Sequence, residues 1–521
     1  MIRGAGQAGP VTGFAGTASL VIAIGLAPPA VGQNSTDGIV ETRHSVEVRG
    51  EALEYTAHAG VLPIRVNATG EPHGHVFFVA YTVDPPPGAP PRPLTFLWNG
   101  GPGANSTLVH LDGFGPKRLD PSGPGEDGRL AVIDNETTWL DATDLVFVDP
   151  IGTGYSRPTR VDYESEFYAT KGDIASVAEF IRVFLTRFDA WDAPLVVGGE
   201  SYGAWRAGGV AEALERAGIS VAGVILISGG IPFGPVVSDE MRAASFVPTR
   251  TAAAHHHGRL APELGPDLDG AMRAAEEWAM RDYGPALADP TRLSAGKRAE
   301  IAGQLSRFTG LPAGEIDDET LVVRRQQFAE RLLAEEGVVL GRFDTRVTTP
   351  VSGAPESAGG RRARAIRRYL RFDLGFETDL AYQGLETGYT PATDGGPTPI
   401  GARWSYDHDR AVAAMSGEEP EGPLRRLVYE GPPGGSDPWL ARAMDLNPEI
   451  RVFVAAGIFD SLNSCTFNEY LVTRLEPRRA ANVTLGCYVG GHMMYEDEET
   501  RPILERDAER FLGDLRSESD R

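Results

Sequence analysis

Leu195-Val-Val-Gly-Gly-Glu-Ser-Tyr-Gly-Ala204 reads as a strand, a tight turn and the start of a helix. Leu195 to Val197 has the apolar, β-branched character of a buried parallel strand, and Ala204 to Arg216 follows a helical pattern. Between them, Gly199-Glu-Ser-Tyr-Gly203 fits G-x-S-x-G. The glycines permit a sharp turn that lifts a serine hydroxyl above the sheet edge. The pentapeptide alone occurs by chance in many proteins. Its place between strand and helix makes Ser201 the candidate nucleophile.

Outward from this turn the same alternation recurs. Leu94 to Trp98, Leu145 to Val148 and Val224 to Ile227 have the length of buried strands, and Gly172 to Arg187 reads as a helix. Strands separated by helices predict an α/β class with a mostly parallel sheet. His44 to Val48 and His75 to Val83 read as antiparallel strands ahead of it. After about Pro235 the pattern changes. Leu260 to Glu336 has only helical periods, and Thr348 to Gly435 is Gly/Pro-punctuated with no strong strand. Strands return at Arg451 to Ala456 and Val483 to Tyr488. The expected organisation is one sheet in two parts, residues 33–235 and 435–521, interrupted by a mostly helical cap at 236–434.

Charge and composition narrow the function. The 521 residues carry a formal net charge of −23, which repels phosphate backbones and anionic lipid, so no nucleic-acid partner is expected. Gly and Pro, 63 and 39 in number, imply many tight turns. Two cysteines are too few for a Cys-rich metal site. At the N-terminus, Arg3 precedes an apolar stretch from Phe14 to Leu26, and Ala30-Val31-Gly32 offers small residues for cleavage. Residues 1–32 are therefore expected to be a signal peptide, giving a secreted or periplasmic protein without stable membrane insertion. The alternative is an N-terminal anchor, for which the apolar core is short and Gly-interrupted.

A serine hydroxyl needs a base, and the base needs an orienting carboxylate. Asp460 follows the strand ending at Ala456, and His492, in Gly490-Gly-His-Met-Met494, follows the strand ending at Tyr488. Both lie after the insertion, in the order Ser…Asp…His. The tetrahedral intermediate also needs two backbone N–H donors. Tyr202 supplies one, and the Gly-rich run Trp98-Asn-Gly-Gly-Pro-Gly103 is the candidate source of the other.

Four blocks, Trp98-Asn-Gly-Gly-Pro-Gly103, Asp149-Pro-Ile-Gly-Thr-Gly-Tyr-Ser156, Gly199-Glu-Ser-Tyr-Gly203 and Gly491-His-Met493, resemble the signatures of the serine carboxypeptidase family, in its order. The resemblance covers roughly residues 44–235 and 435–515. It implies an α/β-hydrolase fold, no cofactor or metal, and peptide substrates with a free C-terminus. It also implies roles: Ser201, His492 and Asp460 as nucleophile, base and orienting acid; Gly101 and Tyr202 as oxyanion donors; Asn99, Gly100 and Glu200 at the substrate's terminal carboxylate. A carboxylate beside Glu200 can share a proton only when one is present, so acidic working conditions follow. The chain departs from the family where Ala104-Asn105-Ser106 replaces Cys-Ser-Ser, and where Gly113 stands in place of a second acidic residue. Asp112 is adjacent but would point differently. An esterase or acyltransferase of the same fold is the alternative activity, and a non-catalytic exported binding protein a third reading.

Other features are read as structure. His255-His256-His257 lacks acidic or Cys partners at ligand spacing and is not expected to bind metal. Asn34, Asn67, Asn105, Asn135 and Asn482 sit in glycosylation sequons. Gly341-Arg-Phe-Asp-Thr-Arg346 is a turn-like motif without an assigned role. Cys465, at the start of a helix, and Cys487, near the end of a strand, are placed to form a disulfide across neighbouring parallel strands, the alternative being two buried free thiols. The oligomeric state is not legible.

Overall fold

The computed structural model describes residues 38–351, 358–384, 398–419, 421–429 and 431–519. The apolar stretch and cleavage site assigned to a signal peptide, and the Asn34 sequon, lie outside the described residues. Nine strands build the central sheet: β1 (Val40–Val48), β2 (Glu51–Arg65), β3 (Pro72–Thr82), β4 (Leu94–Trp98), β5 (Asp144–Val148), β6 (Leu195–Glu200), β7 (Gly223–Ile227), β8 (Arg451–Gly457) and β9 (Val483–Tyr488). Their spatial order is β1-β2-β3-β5-β4-β6-β7-β8-β9, with Arg157–Pro158 adding a short bridge to β3. β1, β2 and β3 run as antiparallel neighbours, and β3 is antiparallel to β5. From β5 to β9 every pairing is parallel. This mostly parallel sheet with crossover helices and a strand–serine–helix turn is the α/β-hydrolase fold.

Apart from the edge strand β9, the parallel strands are covered on both faces, which is why they read as continuous apolar runs rather than alternating ones. Phe96, Val146, Val197, Leu226 and Val454 face the helices Thr170–Arg187, Tyr202–Arg216 and Trp439–Leu446. Leu97, Phe147, Val196, Ile225 and Phe453 face the opposite layer, where Leu504, Ala508, Phe511 and Leu512 come from the helix Arg501–Ser519. The 15-residue β2 has no counterpart in the sequence reading. Its buried face includes Ala57 and Ala59, and Gly60 and Pro63 interrupt it, so it lacks the β-branched signature that marks its neighbours.

Between the adjacent strands β7 and β8 the chain makes its long excursion. Helices Asp239–His256, Leu268–Trp278 and Ala295–Thr309 pack around a core of their own that includes Val247, Ala275, Leu305 and Phe308. A two-stranded hairpin, Val338–Leu340 against Thr348–Pro350, rises from this region. It adds short strands to a region whose sequence shows no strong one. Three residues per strand are too few to register as a periodic pattern. Among the described residues no helix is long and apolar enough to cross a membrane.

Two sequons are closed by the fold. Asn105 and Asn135 are buried, and their Nδ2 atoms donate to Gln383 O at 2.7 Å and to Gly115 O at 2.7 Å, leaving no amide to carry a glycan. Asn67 is exposed.

Cys465 and Cys487 are joined, with their Cα atoms 5.8 Å apart. The parallel register pairs Ala456 with Cys487, so the bond ties the segment after Asp460 to the strand before His492. Closing a loop of 22 residues restricts the unfolded chain by about 3 kcal/mol. Replacing both cysteines by serine should lower the unfolding free energy by about that amount in denaturant titration, with an equal or steeper slope because the unfolded chain is freed to expand. An unaltered midpoint would show that the bond contributes nothing.

Candidate active site

Ser201 has φ 60° and ψ −124°, a conformation that side-chain-bearing residues rarely adopt. Strain of this kind persists only where the surroundings fix it. Ser201 N–H donates to Ile227 O of β7 at 2.9 Å, and the flanking glycines leave no room for side chains. A Cβ at Gly199 would lie 2.3 Å from Gly203 O, and one at Gly203 would lie 3.0 Å from Asn99 O. The sequence G-x-S-x-G is therefore a packing requirement as well as a turn requirement.

The loop after β4 is clamped against this turn. The buried Trp98 indole donates to Gly203 O at 2.9 Å, and Arg206 Nη1 donates to Asn99 O at 2.8 Å. Arg206 itself is fully buried and paired with Asp173 at 2.7 Å, to which the Tyr202 hydroxyl also donates. Such a pair is retained only with its charge compensated in place. A Cβ at Gly100 would lie 2.6 Å from Tyr202 N. Gly100 thus lets this loop come up to the Tyr202 amide, the arrangement two backbone donors need to converge on one oxygen. The Asp149 block braces the far end of the loop. Asp149 accepts from Ser106 N–H and Oγ–H, both at 2.8 Å, and its burial pushes its carboxyl up to about 6.

Asp460 and His492 come from the ends of β8 and β9. Both are buried, and His492 Nδ1 lies 2.8 Å from Asp460 Oδ2. Asp460 Oδ1 accepts from Leu462 N–H at 2.8 Å, which fixes the carboxylate plane. His492 Nε2 has no hydrogen-bond partner among the described residues. Burial alone would depress the imidazole, but the charge and hydrogen bond of Asp460 outweigh it and hold His492 above its ordinary value. Nδ1 held by a carboxylate and Nε2 uncommitted is the disposition of a general base.

Glu200 is buried beside this pair. Burial raises its carboxyl above the ordinary range, while the neighbouring His492 charge, the hydrogen bond from Tyr495 and the nearby Asn99 amide nitrogen, which closes no hydrogen bond among the described residues, oppose the rise. The Tyr495 hydroxyl donates to Glu200 Oε2. Asn99 Oδ1 accepts from Val109 N–H at 3.1 Å, which aims its buried Nδ2 toward Glu200.

Sequence reasoning had no signal for two of these neighbours. Tyr495 is one: a Cβ on Gly113 would lie 3.6 Å from the Tyr495 ring, so Tyr495 fills the direction a side chain at 113 would take. The hairpin tip is the other. Phe343 O accepts the His492 N–H at 2.6 Å, and a Cβ at Gly491 would strike Asp344. Asp112 accepts from Arg362 Nε at 2.8 Å. His255 and His257 contact the carbonyls of Pro266 and Thr345, at 3.1 and 2.8 Å.

Residues 51–214 match the serine carboxypeptidase family. Within the chain, 188 residues are 30% identical to the pheromone-processing carboxypeptidase KEX1 of Komagataella phaffii, covering 35% of this chain and 27% of that protein. The human retinoid-inducible serine carboxypeptidase is 34% identical over 131 residues, 24% of this chain and 25% of that one. The match therefore spans about a quarter of the length of these relatives. Among solved structures, the prohormone-processing carboxypeptidase Kex1(Δ)p of Saccharomyces cerevisiae covers 88% of this chain and 91% of its own, at 15% identity and a TM-score of 0.47. Asp460 and His492 lie outside the residues that match the family.

Proposed function

We propose that the protein is an exported serine carboxypeptidase that hydrolyses C-terminal peptide bonds through an acyl-enzyme on Ser201. The observation that carries this reading is a buried His492–Asp460 pair, 2.8 Å apart, whose charge reaches Glu200, the residue before the strained elbow serine. Ser201 Oγ attacks the scissile carbonyl and His492 Nε2 takes its proton. Gly101 and Tyr202 amides hold the developing oxyanion, and the protonated imidazole returns the proton to the leaving amine. Water, activated by the same histidine, then releases the peptide. Asn99, Gly100 and Glu200 hold the free carboxylate of the departing residue.

The raised Glu200 carboxyl sets the pH dependence. Protonated, it donates to the substrate carboxylate; ionised, it repels it. The catalytic efficiency on a blocked dipeptide should therefore fall as pH rises through the Glu200 titration, while that on the matching ester or amide should not. On the acid side both substrates lose activity together, because protonated His492 cannot act as base. Glu200→Gln stays a donor at every pH and should remove the alkaline fall for the dipeptide. Identical profiles for both substrate classes would contradict carboxylate recognition at Glu200 and favour the esterase reading, to which Gly113 and the Tyr495–Glu200 hydrogen bond lend some support.

A further inference from the structure

The hairpin tip Gly341–Val347 sits where the two loops carrying Asp460 and His492 meet. Its backbone grips both. Phe343 O accepts His492 N–H at 2.6 Å, and Thr345 N–H and Oγ–H both donate to Phe459 O, at 3.1 and 3.0 Å. Ser461, on the other side of Asp460, donates its hydroxyl to Arg342 O. One side chain ties these contacts together. Arg346 Nη2 binds Asp344 Oδ2 at 2.7 Å and its Nη1 binds Asp497 Oδ2 at 2.8 Å. Its guanidinium also lies 5.0 Å from the Phe459 ring centroid, in cation–π range. Asp344 in turn accepts from Arg346 N–H, closing the tip on itself, and Asp497 accepts from Thr500 N–H, anchoring the segment after His492 to the last helix. All three charged side chains are three-quarters or more shielded from solvent, where ion pairs are weakly screened.

We infer that Arg346 is a positioning residue for the His492–Asp460 pair, holding the loop of each against the other through Asp344, Phe459 and Asp497. The inference rests on the proposed roles of Ser201, His492 and Asp460. The nucleophile turn belongs to a rigid sheet centre, whereas Asp460 and His492 stand on separate loops whose relative placement needs its own constraint. A planar guanidinium reaches two carboxylates and a ring at once, which a lysine ammonium cannot. Loss of it lets the imidazole drift from its carboxylate, and a misplacement on the order of 1 Å costs up to about a hundredfold in rate.

Burial lowers the His492 titration; against it Asp460 and Glu200 raise it, and Arg342 lowers it. His256 faces Arg346 and Asp344 from the neighbouring helix. Weakening the Asp460 contact removes the largest raising influence, so the acid limb of ester turnover moves to lower pH while the plateau falls. The test measures ester kcat, KM and pH profile for wild type, Arg346→Ala and Arg346→Lys, with active sites counted by fluorophosphonate labelling. The expected result is a kcat per labelled site about ten- to a hundredfold lower in Arg346→Ala, KM within about threefold, the acid limb displaced downward in pH, and partial recovery in Arg346→Lys. An unchanged kcat and acid limb per labelled site would overturn the inference, as would a loss explained wholly by fewer labelled sites. Should Arg346→Ala not fold, Arg346→Lys is read by the same two criteria. Wild type that neither labels nor turns over ester would instead overturn the underlying reading of Ser201.

Discussion

Ser201→Ala is expected to reduce peptide and ester hydrolysis by about five to six orders of magnitude while leaving the fold in place. The side chain removed is one oxygen on a partly exposed residue, and the backbone that carries the strain is fixed by Ile227 O and by Gly199 and Gly203 rather than by the hydroxyl. Alanine at φ 60° bears much the same backbone cost as serine, so the unfolding midpoint should stay close to wild type. Turnover is the first measurement and thermal or denaturant unfolding the second. Residual activity near wild type would remove Ser201 from the mechanism, and a collapsed midpoint would show that the residue was structural.

Asp460→Asn should cost about four orders of magnitude in kcat, for a reason visible in its two contacts. Oδ1 accepts from Leu462 N–H and Oδ2 from His492 Nδ1–H. If the new amide keeps its oxygen toward Leu462, its NH2 group faces Nδ1 and donates to it. The imidazole proton then resides on Nε2, and the base is presented the wrong way round. The elevated His492 titration should fall at the same time, since the Asp460 charge that overcomes burial is gone. Steady-state kinetics against pH checks both effects. Wild-type kcat with an unmoved acid limb would show that Asp460 does not orient the histidine.

How much of this was legible depended on the range of the signal. Leu195–Glu200 and Arg451–Gly457 announce themselves locally, because strands buried on both faces must be apolar throughout. Ser201, Asp460 and His492 stand out as candidates because each follows a strand of the sheet, and strand ends are where this architecture collects side chains. The Cys465–Cys487 pairing followed from the same register. β2 was not readable, because alanine and glycine on its buried side carry no strand preference. Nor were Tyr495 over Gly113, Arg362 at Asp112, or the tip at Arg346. Those contacts join residues more than a hundred positions apart, and their chemistry lies in the meeting rather than in either segment. Gly341 to Arg346 looked like an ordinary turn because, taken alone, it is one.

The central claim is that Ser201 releases single residues from a free C-terminus. It is tested most directly by mass spectrometry of the products formed from an N-blocked dipeptide and from its C-terminal amide, by wild type and by Ser201→Ala. Wild type should free the C-terminal amino acid from the dipeptide, the dipeptide's advantage over the amide should shrink as pH rises through the Glu200 titration, and Ser201→Ala should yield neither product. Cleavage that persists in Ser201→Ala, or a wild type that turns over esters while leaving the dipeptide intact across the whole pH range, would contradict it.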